Sequence, residues 1–572
     1  MGLSLPGLAK FHRKYVVMSR GKRQTDMLLL LFLVGAMRPS TSTTVWPQPV
    51  AMTDTSNEDT PARLLSTNFT IDCIGLCSPE ILAANQRYLL LIQPHRETHS
   101  AIANTFPLLN NLQVNVTEST APFAFGHDES YTLEWTANSP SASLTSPTFV
   151  GALRGMETFA QISESDPLYK QIPLSVPAVH FQVVDAPRYP YRGLMMDLAR
   201  HYYTLDAIKH TIDAMAANKL NVLHMHLTDD QSFPVESMKY PELAEKGAFE
   251  RKTSTGTVLY TYSKKDIASL STYASNRGVL LLPEFDMPAH SSSWGASHPD
   301  IMVTGSGCSP RVFQHGDTLN PIKDETYTLI DGLLGEMSTI FTQTSFLHLG
   351  GDEVPTACWA GHPEINSWMQ SHGIAAGDYN ALESYFVNRV ATGKQLSQAK
   401  RTLVYWEEIF NNKVKLANDS IVQAWKSTAM SGIVRAGYRT TNSYKWYLNH
   451  GCNNFGDGNW GEFYTNDPMK WARNASEPPL TPAQRALVLG GETTMWSECV
   501  DEHSFDSIVW PRASASAEQL WSPMNGTSKV TNKTSRRLSE FRCRLIGRGV
   551  RAAPIDDSVG SMSPRDVNVG CM

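Results

Sequence analysis

Two adjacent carboxylates, Asp352 and Glu353, follow a short apolar segment that begins at Phe346. The segment runs into Gly350 and Gly351 before the two acids arrive. A short apolar run that ends in glycines and acids is typical of a buried strand, and catalytic groups collect at the carboxyl ends of strands in barrels and open α/β sheets. The alternative is a Gly-Gly turn before an acidic helix start, since acids favour a first helical turn. The segment alone favours neither interpretation.

Polar and aromatic residues also follow other apolar segments of the chain. They are acids, one arginine, two histidines, one asparagine and aromatic residues: Arg200, His201, Asp229, Asp230, Glu284, Asp286, His290, Trp406, Glu407, Glu408, Trp425, Trp446, Tyr447, Asn449, Trp496 and Glu498. Each has an ordinary structural explanation, because an aspartate at a strand end often caps a helix and a tryptophan is usually part of a core. Gathered on one rim, the same residues would form a polyol-binding site for acid–base chemistry.

Eight apolar segments, with amphipathic helices between several of them, predict the elements that would hold these residues. The segments span residues 193–197, 221–227, 279–285, 346–349, 402–406, 420–425, 439–447 and 486–490. Residues 205–215 and 379–390 carry apolar side chains at three- and four-residue spacing, which is typical of helices. The alternation predicts an α/β fold with a (β/α)8 TIM barrel. A doubly wound sheet is the alternative, disfavoured because no Gly-rich phosphate loop follows a strand.

The N-terminal part of the chain shows a different pattern. Residues 87–92 and 130–135 alternate like strands, whereas 151–161 has the spacing of a helix. We therefore predict a smaller α+β domain over residues 46–186, with a supporting role. The prolines of 187–191 separate it from the catalytic barrel, which we place at 187–572.

Residues 1–45 are predicted to be a signal peptide or signal anchor. Basic residues at 10, 13, 14, 20, 22 and 23 precede an apolar run at 27–37, which is typical of a secretory signal and too short for a comfortable membrane span. Six glycosylation candidates, Asn68, Asn115, Asn418, Asn474, Asn525 and Asn532, fit a secreted glycoprotein. The 49 basic and 55 acidic residues disfavour a nucleic-acid partner.

Eight cysteines fit an oxidising compartment, but their spacing does not determine the disulfide pairing. Cys73 is close enough to Cys77 for a local loop, and Cys308 and Cys358 bracket the acidic segment. Cys452 with Cys499, and Cys543 with Cys571, would pair the rest. No Gly-x-Ser-x-Gly, His-Glu-x-x-His or Walker motif occurs, which disfavours serine hydrolase, zincin and kinase chemistry. The pair His224 and His226 has metal-ligand spacing, but its place in an apolar run favours packing. We predict no metal and no cofactor.

Residues 348–354 read His-Leu-Gly-Gly-Asp-Glu-Val, and further motifs lie at 192–202, 218–230, 283–290, 446–449, 490–498 and 510–513. Together these segments resemble the signature sequences of glycoside hydrolase family 20, the β-N-acetylhexosaminidases of the eukaryotic lysosomal and secreted type. The resemblance extends from about Trp46 to Cys571. It implies an exo-acting enzyme that removes terminal non-reducing GlcNAc or GalNAc residues with retention of configuration.

The resemblance also implies a mechanism in which the acetamido oxygen of the substrate attacks the anomeric carbon. Glu353 would be the general acid and base, and Asp352 would orient the acetamido group and stabilise the oxazolinium ion. The implied substrate-binding residues are Arg200, Asp229, His290, Trp406, Trp425, Tyr447, Asn449, Trp496 and Glu498. Among them, Asp229 and His290 would position Glu353.

Further expectations follow from the same resemblance. It supports disulfides Cys308–Cys358 and Cys543–Cys571, and it implies glycan substrates such as N-glycans, glycolipids or chito-oligosaccharides. A homodimer in the lysosome, vacuole or extracellular space is expected, with membrane attachment only if the signal segment stays uncleaved. The alternatives are a non-catalytic carbohydrate-binding barrel and an endo-acting chitinase, whose Asp-x-x-Asp-x-Asp-x-Glu signature the chain lacks.

Overall fold

The computed structural model describes residues 44–55, 63–92, 107–119, 121, 123–163, 175–176, 180–309, 316–426, 429–452, 456–524, 529–555 and 571. The predicted signal segment lies outside the described residues except for Thr44 and Val45. The glycosylation candidate Asn525 also lies outside them.

A mixed seven-stranded sheet with two helices forms the N-terminal part of the structure. Its elements are β1 (Ala51–Asp54), β2 (Arg63–Cys73), α1 (Pro79–Ile92), β3 (Leu108–Ser119), β4 (Tyr131–Trp135), β5 (Ser141–Thr148), α2 (Phe149–Ser163), β6 (Ser175–Val176) and β7 (Phe181–Asp185). The strand order is β1-β7-β4-β5-β3-β2-β6. Helix α2 is buried on all sides, because it also contacts the barrel: the guanidinium of Arg154 donates to the carbonyl of Gly278 at 2.7 Å.

Eight parallel strands close into a barrel, which confirms the predicted fold. The strands of this part are β8 (Tyr191–Asp197), β9 (Val222–Thr228), β10 (Phe249–Thr253), β11 (Gly256–Tyr260), β12 (Leu280–Phe285), β13 (Met302–Val303), β14 (Thr318–Leu319), β15 (Phe346–His348), β16 (Thr402–Trp406), β17 (Ile421–Ala424), β18 (Arg439–Asn442) and β19 (Val488–Met495). The barrel order is β12-β15-β16-β17-β18-β19-β8-β9, whereas β10–β11 and β13–β14 form small separate pairs. Strands β8 and β9 are buried at every residue, as expected for parallel strands covered on both faces.

Helices surround the barrel and connect its strands. They are α3 (Leu205–Ala217), α4 (Glu242–Gly247), α5 (Lys264–Ser275), α6 (Ser292–Gly295), α7 (Asp324–Ile340), α8 (Thr356–Ala360), α9 (Pro363–Ser371), α10 (Tyr379–Ala391), α11 (Lys394–Ala399), α12 (Glu407–Asn411), α13 (Met430–Arg435), α14 (Trp460–Thr465), α15 (Pro468–Ala472), α16 (Pro482–Ala486), α17 (Phe505–Val509), α18 (Arg512–Trp521) and α19 (Asn532–Gly547), with a 3-10 turn at Pro299–Ile301. Helices α3 and α10 match the two segments predicted from apolar spacing.

Three predicted strands need correction. Residues 87–92 form the end of helix α1, whose buried residues Ile81, Ala84, Tyr88 and Ile92 follow helical spacing from an earlier start. The strand predicted at 439–447 stops at Asn442. The strand predicted at 486–490 runs through its glycines to Met495. These glycines do not end the strand, because neighbouring backbones approach closely there: a Cβ on residue 490 would lie 2.0 Å from the carbonyl oxygen of residue 191.

The structure contains four disulfides, joining Cys73 to Cys77, Cys308 to Cys358, Cys452 to Cys499, and Cys543 to Cys571. The pairings Cys308–Cys358 and Cys543–Cys571 are those implied by the family resemblance. The other two pairs connect cysteines whose partners spacing alone left open.

The candidate glycosylation residues differ in exposure. Asn68, Asn418, Asn474 and Asn532 are exposed, whereas Asn115 is half-buried on strand β3. None of the helices in the described ranges is long and apolar enough to cross a membrane. The domain limits at 46–186 and 187–572 stay predictions.

A buried carboxylate, Asp185, joins the N-terminal sheet to the barrel. It lies at the end of β7 and accepts from the Tyr131 hydroxyl at 2.7 Å within its own sheet. From the barrel side it contacts the ammonium of Lys219 at 2.8 Å and accepts from the indole N–H of Trp521 at 3.0 Å. Asp185 and Lys219 are both fully buried, so each charge depends on the other for compensation.

We expect Asp185→Ala to lower the free energy of unfolding by about 3–5 kcal/mol, because the Lys219 ammonium would stay buried without its counter-ion. Denaturant-induced unfolding followed by circular dichroism measures this change. Glu250→Ala on the exposed β10–β11 pair is the matched control, since its ion pair with Lys252 is long, at 3.7 Å, and exposed. Equal losses in the two variants would contradict the anchoring role.

Candidate active site

The carboxyl ends of the barrel strands bring the predicted site residues to one rim. Arg200 follows β8, Asp229 follows β9, His290 follows β12, and Asp352 with Glu353 follow β15. The aromatic candidates and the remaining polar ones end or follow the later strands: Trp406 (β16), Trp425 (β17), Tyr447 and Asn449 (β18), and Trp496 and Glu498 (β19). Parallel strands share one carboxyl end, so residues far apart in sequence meet there.

A glycine turn, and not the strand itself, presents the two acids. Strand β15 ends at His348, and Gly350 and Gly351 have φ angles of 64° and 95°. Glycine is required here, because a Cβ at Gly350 would lie 1.7 Å from a carboxylate oxygen of Asp286. That same oxygen accepts from the backbone N–H of Gly351 at 3.0 Å. The alternation of strand side chains therefore does not govern how the two acids point.

The turn gives the two neighbouring acids opposite environments. The side chain of Asp352 is 9% exposed, whereas that of Glu353 is 50% exposed. Glu353 has a φ of 51°, a left-handed conformation that is uncommon for residues other than glycine. One acid is thus held in a buried pocket while the other faces the opening.

Asp286 and Asp352 form a buried acid pair. Burial raises the pKa of Asp352, and burial together with the charge of Asp352 raises the pKa of Asp286 well above its ordinary value. In the described part of the chain, Asp286 Oδ2 and Asp352 Oδ1 have no hydrogen-bond partner. Two such carboxyls resist double ionisation, so Asp286 is suited to hold a proton while Asp352 stays available as an acceptor.

A row of alternating charges, the charge chain, leads from Arg200 through Asp229 and His290 to Glu353. Asp229 contacts Arg200 Nη2 at 2.5 Å and His290 Nδ1 at 3.4 Å. The other ring nitrogen of His290 lies 3.7 Å from Glu353 Oε2 and 3.8 Å from Asp352 Oδ2. Although burial favours a neutral ring, Asp229 and Asp352 raise the pKa of His290 well above its ordinary value. His290 therefore presents a cation to both acids.

Four aromatic rings line the buried side of the site. Trp425 stacks on Tyr447 at 5.6 Å between ring centroids, and Trp406 lies 6.1 Å from Trp496. The rings of Tyr447 and Trp496 are 6.4 Å apart, so the four form one continuous wall. Burial and the charge of Asp352 raise the pKa of Tyr447 well above its ordinary value, which keeps its hydroxyl a neutral donor.

Arg200 and Glu498 lie beside this wall. The Arg200 guanidinium carbon is 4.9 Å from the centre of the Trp496 ring. Its Nε, Nη1 and Nη2 contact Gln231, Asp197 and Asp229, so part of its role is to orient Asp229. Although burial opposes the charge of Arg200, Asp229 and Asp197, with a smaller contribution from the exposed Glu498, raise the pKa of Arg200 above its ordinary value.

Asn449, predicted to bind substrate, uses both ends of its side-chain amide within the protein. Its Nδ2 donates to the carbonyl oxygen of Trp496 at 2.7 Å, and its Oδ1 accepts from the N–H of the same residue at 3.0 Å. Asn449 is also buried. In this structure it therefore connects the loop that follows β18 to the loop that follows β19.

The residue whose role sequence reasoning missed is Glu284, which organises the barrel interior. Its carboxylate lies 2.5 Å from His226 Nδ1 and 3.0 Å from His224 Nε2, and it accepts from the indole N–H of Trp406 at 2.8 Å. The other nitrogen of His226 lies 2.9 Å from Asp229. Glu284 thus links the aromatic wall to the charge chain. The sequence feature that could have indicated this role is the position of Glu284, two residues before Asp286 at the end of β12.

Two more acids hold the site without having been assigned that role. Glu408 accepts from the indole N–H of Trp425 at 2.8 Å and pairs with Lys426. Glu492, inside β19, lies 2.9 Å from His224 Nδ1 and accepts from the Tyr191 hydroxyl at 2.6 Å. Glu408 therefore holds the Trp425 ring of the aromatic wall, and Glu492 holds the rings of His224 and Tyr191 in the barrel interior.

Several histidine and acid groups lie close enough to ligate an ion by distance alone, among them His224 with Glu284 and His226 with Glu284. Although burial opposes the charged rings, the neighbouring carboxylates raise the pKa of His224 to about 9 and that of His226 to about 10. A protonated imidazole has no lone pair for a metal. The two rings therefore act as cationic partners of Glu284 in the barrel interior.

The sequence matches two family models. The model described as "Glycosyl hydrolase family 20, catalytic domain" matches residues 189–524, and the model described as "beta-acetyl hexosaminidase like" matches residues 45–162. The chain is 38% identical to the β-hexosaminidase subunit alpha of Rattus norvegicus over 441 residues, covering 76% of this chain and 77% of the relative. It is 34% identical to the β-hexosaminidase subunit beta of Felis catus over 556 residues, covering 93% and 97%, and 37% identical to β-hexosaminidase 3 of Arabidopsis thaliana, covering 78% of each chain.

Solved structures share the architecture. The chitobiase of Flavobacterium johnsoniae superposes with a TM-score of 0.72 at 28% identity, covering 88% of this chain and 73% of the other. A β-N-acetylhexosaminidase from Streptomyces coelicolor superposes with a TM-score of 0.68 at 22% identity, covering 91% of this chain and all of the other. At 22% identity, the similarity to the Streptomyces coelicolor structure shows a shared fold.

The raised pKa of His226 predicts a loss of stability in alkaline solution. The ordinary value is 6.5 and the folded value is about 10, so the contribution is fully present below pH 6.5 and is lost as the pH rises through about 10. We expect the midpoint of thermal unfolding to fall over this range, and less steeply in His226→Gln. The exposed His372→Gln is the control; parallel pH profiles for wild type and His226→Gln would contradict the charged assignment.

Proposed function

The chain belongs to glycosyl hydrolase family 20 and is an exo-acting β-N-acetylhexosaminidase, and we propose that it works by a retaining mechanism in which the substrate supplies the nucleophile. The observation that carries this proposal is the unequal environment of the two neighbouring acids. Glu353 faces the opening, whereas Asp352 is buried beside the aromatic wall. This arrangement suits one proton donor and one carboxylate that steers a bound group, instead of two acids flanking a bond.

Glu353 is the proposed general acid and base. Its exposure lets it reach the glycosidic oxygen of a leaving sugar at the mouth of the barrel. His290, held by Asp229, lies 3.7 Å away and presents a positive charge that accommodates the carboxylate after it has given up its proton. In the second step the same carboxylate takes a proton from the attacking water.

Asp352 is proposed to act on the 2-acetamido group. Its carboxylate, whose side chain is 9% exposed, can accept from the acetamido N–H, which turns the acetamido oxygen towards the anomeric carbon. The oxazolinium ion that forms carries positive charge, and a buried carboxylate stabilises it more strongly than an exposed one. Asp286, suited to stay protonated beside it, leaves the negative charge on Asp352.

The aromatic wall is the proposed acetamido pocket. Trp406, Trp425 and Trp496 enclose the methyl group, and the neutral hydroxyl of Tyr447 donates to the acetamido oxygen. Arg200 and Glu498 are proposed to bind hydroxyl groups of the terminal sugar, which fits removal of terminal non-reducing GlcNAc or GalNAc. Asn449 contributes by holding Trp496 in place.

The wider biology is also a proposal. The chain acts on glycans, and we propose N-glycans, glycolipids or chito-oligosaccharides as the particular substrates. The exposed sequons and four disulfides support passage through the secretory pathway to a lysosome, vacuole or the exterior. A homodimer remains part of this proposal.

Glu353→Gln is expected to lower kcat for an unactivated β-N-acetylglucosaminide by about 10²–10⁴-fold, because glutamine cannot donate the proton. A dinitrophenyl leaving group needs little protonation, so the loss should be smaller with that substrate. Steady-state kinetics on both substrates measure the difference. Glu364→Gln, exposed on α9, is the matched control. Unchanged turnover of the unactivated substrate by Glu353→Gln would reject the assignment.

Asp352→Asn is expected to lower kcat/KM for β-N-acetylglucosaminides by about 10²-fold or more, because the amide cannot stabilise the oxazolinium charge. Binding of a thiazoline analogue of that ion should weaken in the same variant, as calorimetry would report. A β-glucoside without the acetamido group tests the nucleophile directly in the wild type. Equal cleavage of the glucoside and the N-acetylglucosaminide would rule out substrate assistance.

A further inference from the structure

Two loops carry half of the proposed sugar pocket. The loop after β18 presents Tyr447, and the loop after β19 presents Trp496 and Glu498. Neither loop belongs to the barrel strands, so the positions of these side chains depend on what holds the two loops together. Loops at a barrel mouth are ordinarily the more mobile part of the fold.

On the barrel side, backbone contacts join the loop after β18 to the end of strand β19, and a side-chain amide joins the two loops. The N–H of Leu448 donates to the carbonyl of Thr494 at 2.9 Å, and the N–H of Thr494 donates to the carbonyl of Trp446 at 3.1 Å. One step outward, the side-chain amide of Asn449 makes its two hydrogen bonds with the backbone of Trp496. This inner connection ends at Asn449 and Trp496.

A disulfide continues the connection on the solvent side. Cys452 is three residues after Asn449, Cys499 is three residues after Trp496, and the two are bonded. Both cysteines are exposed, so the bond lies at the outer edge of the rim. The disulfide is thus the outermost of a series of contacts between the two loops, and the inner contacts are hydrogen bonds. Glu498, which is exposed at the pocket edge, is the chain neighbour of Cys499.

We propose that the Cys452–Cys499 disulfide is a clamp that sets the affinity of the pocket for the terminal sugar. It acts through Tyr447, Trp496 and Glu498 and does not itself touch substrate, so the two cysteines are positioning residues. This inference rests on the proposed function, since it assumes that these three side chains bind the sugar. Without the clamp, the outer halves of the two loops separate and the bound sugar must order them.

The two acids Asp352 and Glu353 are positioned by contacts other than the disulfide. The clamp therefore affects sugar binding and not the acid–base chemistry. Glu353 and Asp352 are placed by the turn after β15, where Gly351 is bonded to Asp286. Asp229 directly follows strand β9, and His290 follows strand β12, so neither lies on the two clamped loops. Opening the clamp therefore weakens uniform binding of the sugar and leaves the acid–base groups where they are, which raises KM more than it lowers kcat.

The first test is the double variant Cys452→Ser/Cys499→Ser. We expect KM for a chromogenic β-N-acetylglucosaminide to rise about five- to twentyfold while kcat falls less than about threefold. The dissociation constant of free GlcNAc should rise by a similar factor. The matched control is Cys73→Ser/Cys77→Ser, which removes a disulfide of the N-terminal sheet and should leave both constants within about twofold of wild type.

The second test uses the folded wild-type enzyme, so it does not depend on how the variant folds. Dithiothreitol converts the exposed disulfide into two thiols while being oxidised itself, and alkylation with mass spectrometry identifies which cysteines have reacted. KM should rise with the fraction of Cys452 and Cys499 that is reduced, and reoxidation should restore it.

The outcomes separate the clamp from the proposed function. If the wild type fails to cleave β-N-acetylglucosaminides, the proposed function fails. If the wild type cleaves them but KM does not change in the double variant or on reduction of this disulfide, only the clamp is overturned. A fall in kcat with KM unchanged would also overturn it, because that pattern places the effect on the acids.

Discussion

One buried carboxylate, Glu284, is the constraint on which the rest of the site depends. It is enclosed in the barrel with His226 at 2.5 Å and His224 at 3.0 Å, and although burial opposes its charge, these cations hold the pKa of Glu284 well below its ordinary value. A buried charge keeps its geometry because moving away from its partners is costly. Through that fixed carboxylate the barrel orients Trp406 on one side and, by way of His226, Asp229 on the other.

The neighbouring acids show how backbone conformation divides two roles between similar side chains. Asp352 and Glu353 have nearly the same chemistry, yet the glycine turn buries one and exposes the other. Asp286 completes the division, since it occupies the space that a Cβ on Gly350 would need and receives the N–H of Gly351. The buried acid suits charge stabilisation, and the exposed acid suits proton transfer to a group that arrives from solvent.

Much of the fold could be predicted, because parallel barrel strands are apolar on both faces and stand out as short uniform runs. The failures have local causes. Residues 87–92 taken alone resemble a strand, because the helical spacing of α1 begins earlier in the chain, and the glycines of β19 resemble the end of a strand. Those glycines lie inside the strand because a neighbouring backbone leaves no room for side chains. The contacts of Glu284 with His224 and His226 could not be predicted for a different reason. A carboxylate near a strand end does not indicate which histidines from other strands will surround it.

The sequence by itself determined the barrel, the family, and which residues gather at the rim, because residue type and order are enough to place groups at the carboxyl ends of parallel strands. Only the tertiary structure decided what each group does there. It turned Asn449 inwards to the backbone of Trp496, joined Cys452 to Cys499, and surrounded Glu284 with cations. Those outcomes depend on distances between residues far apart in the chain, and no local pattern encodes such distances.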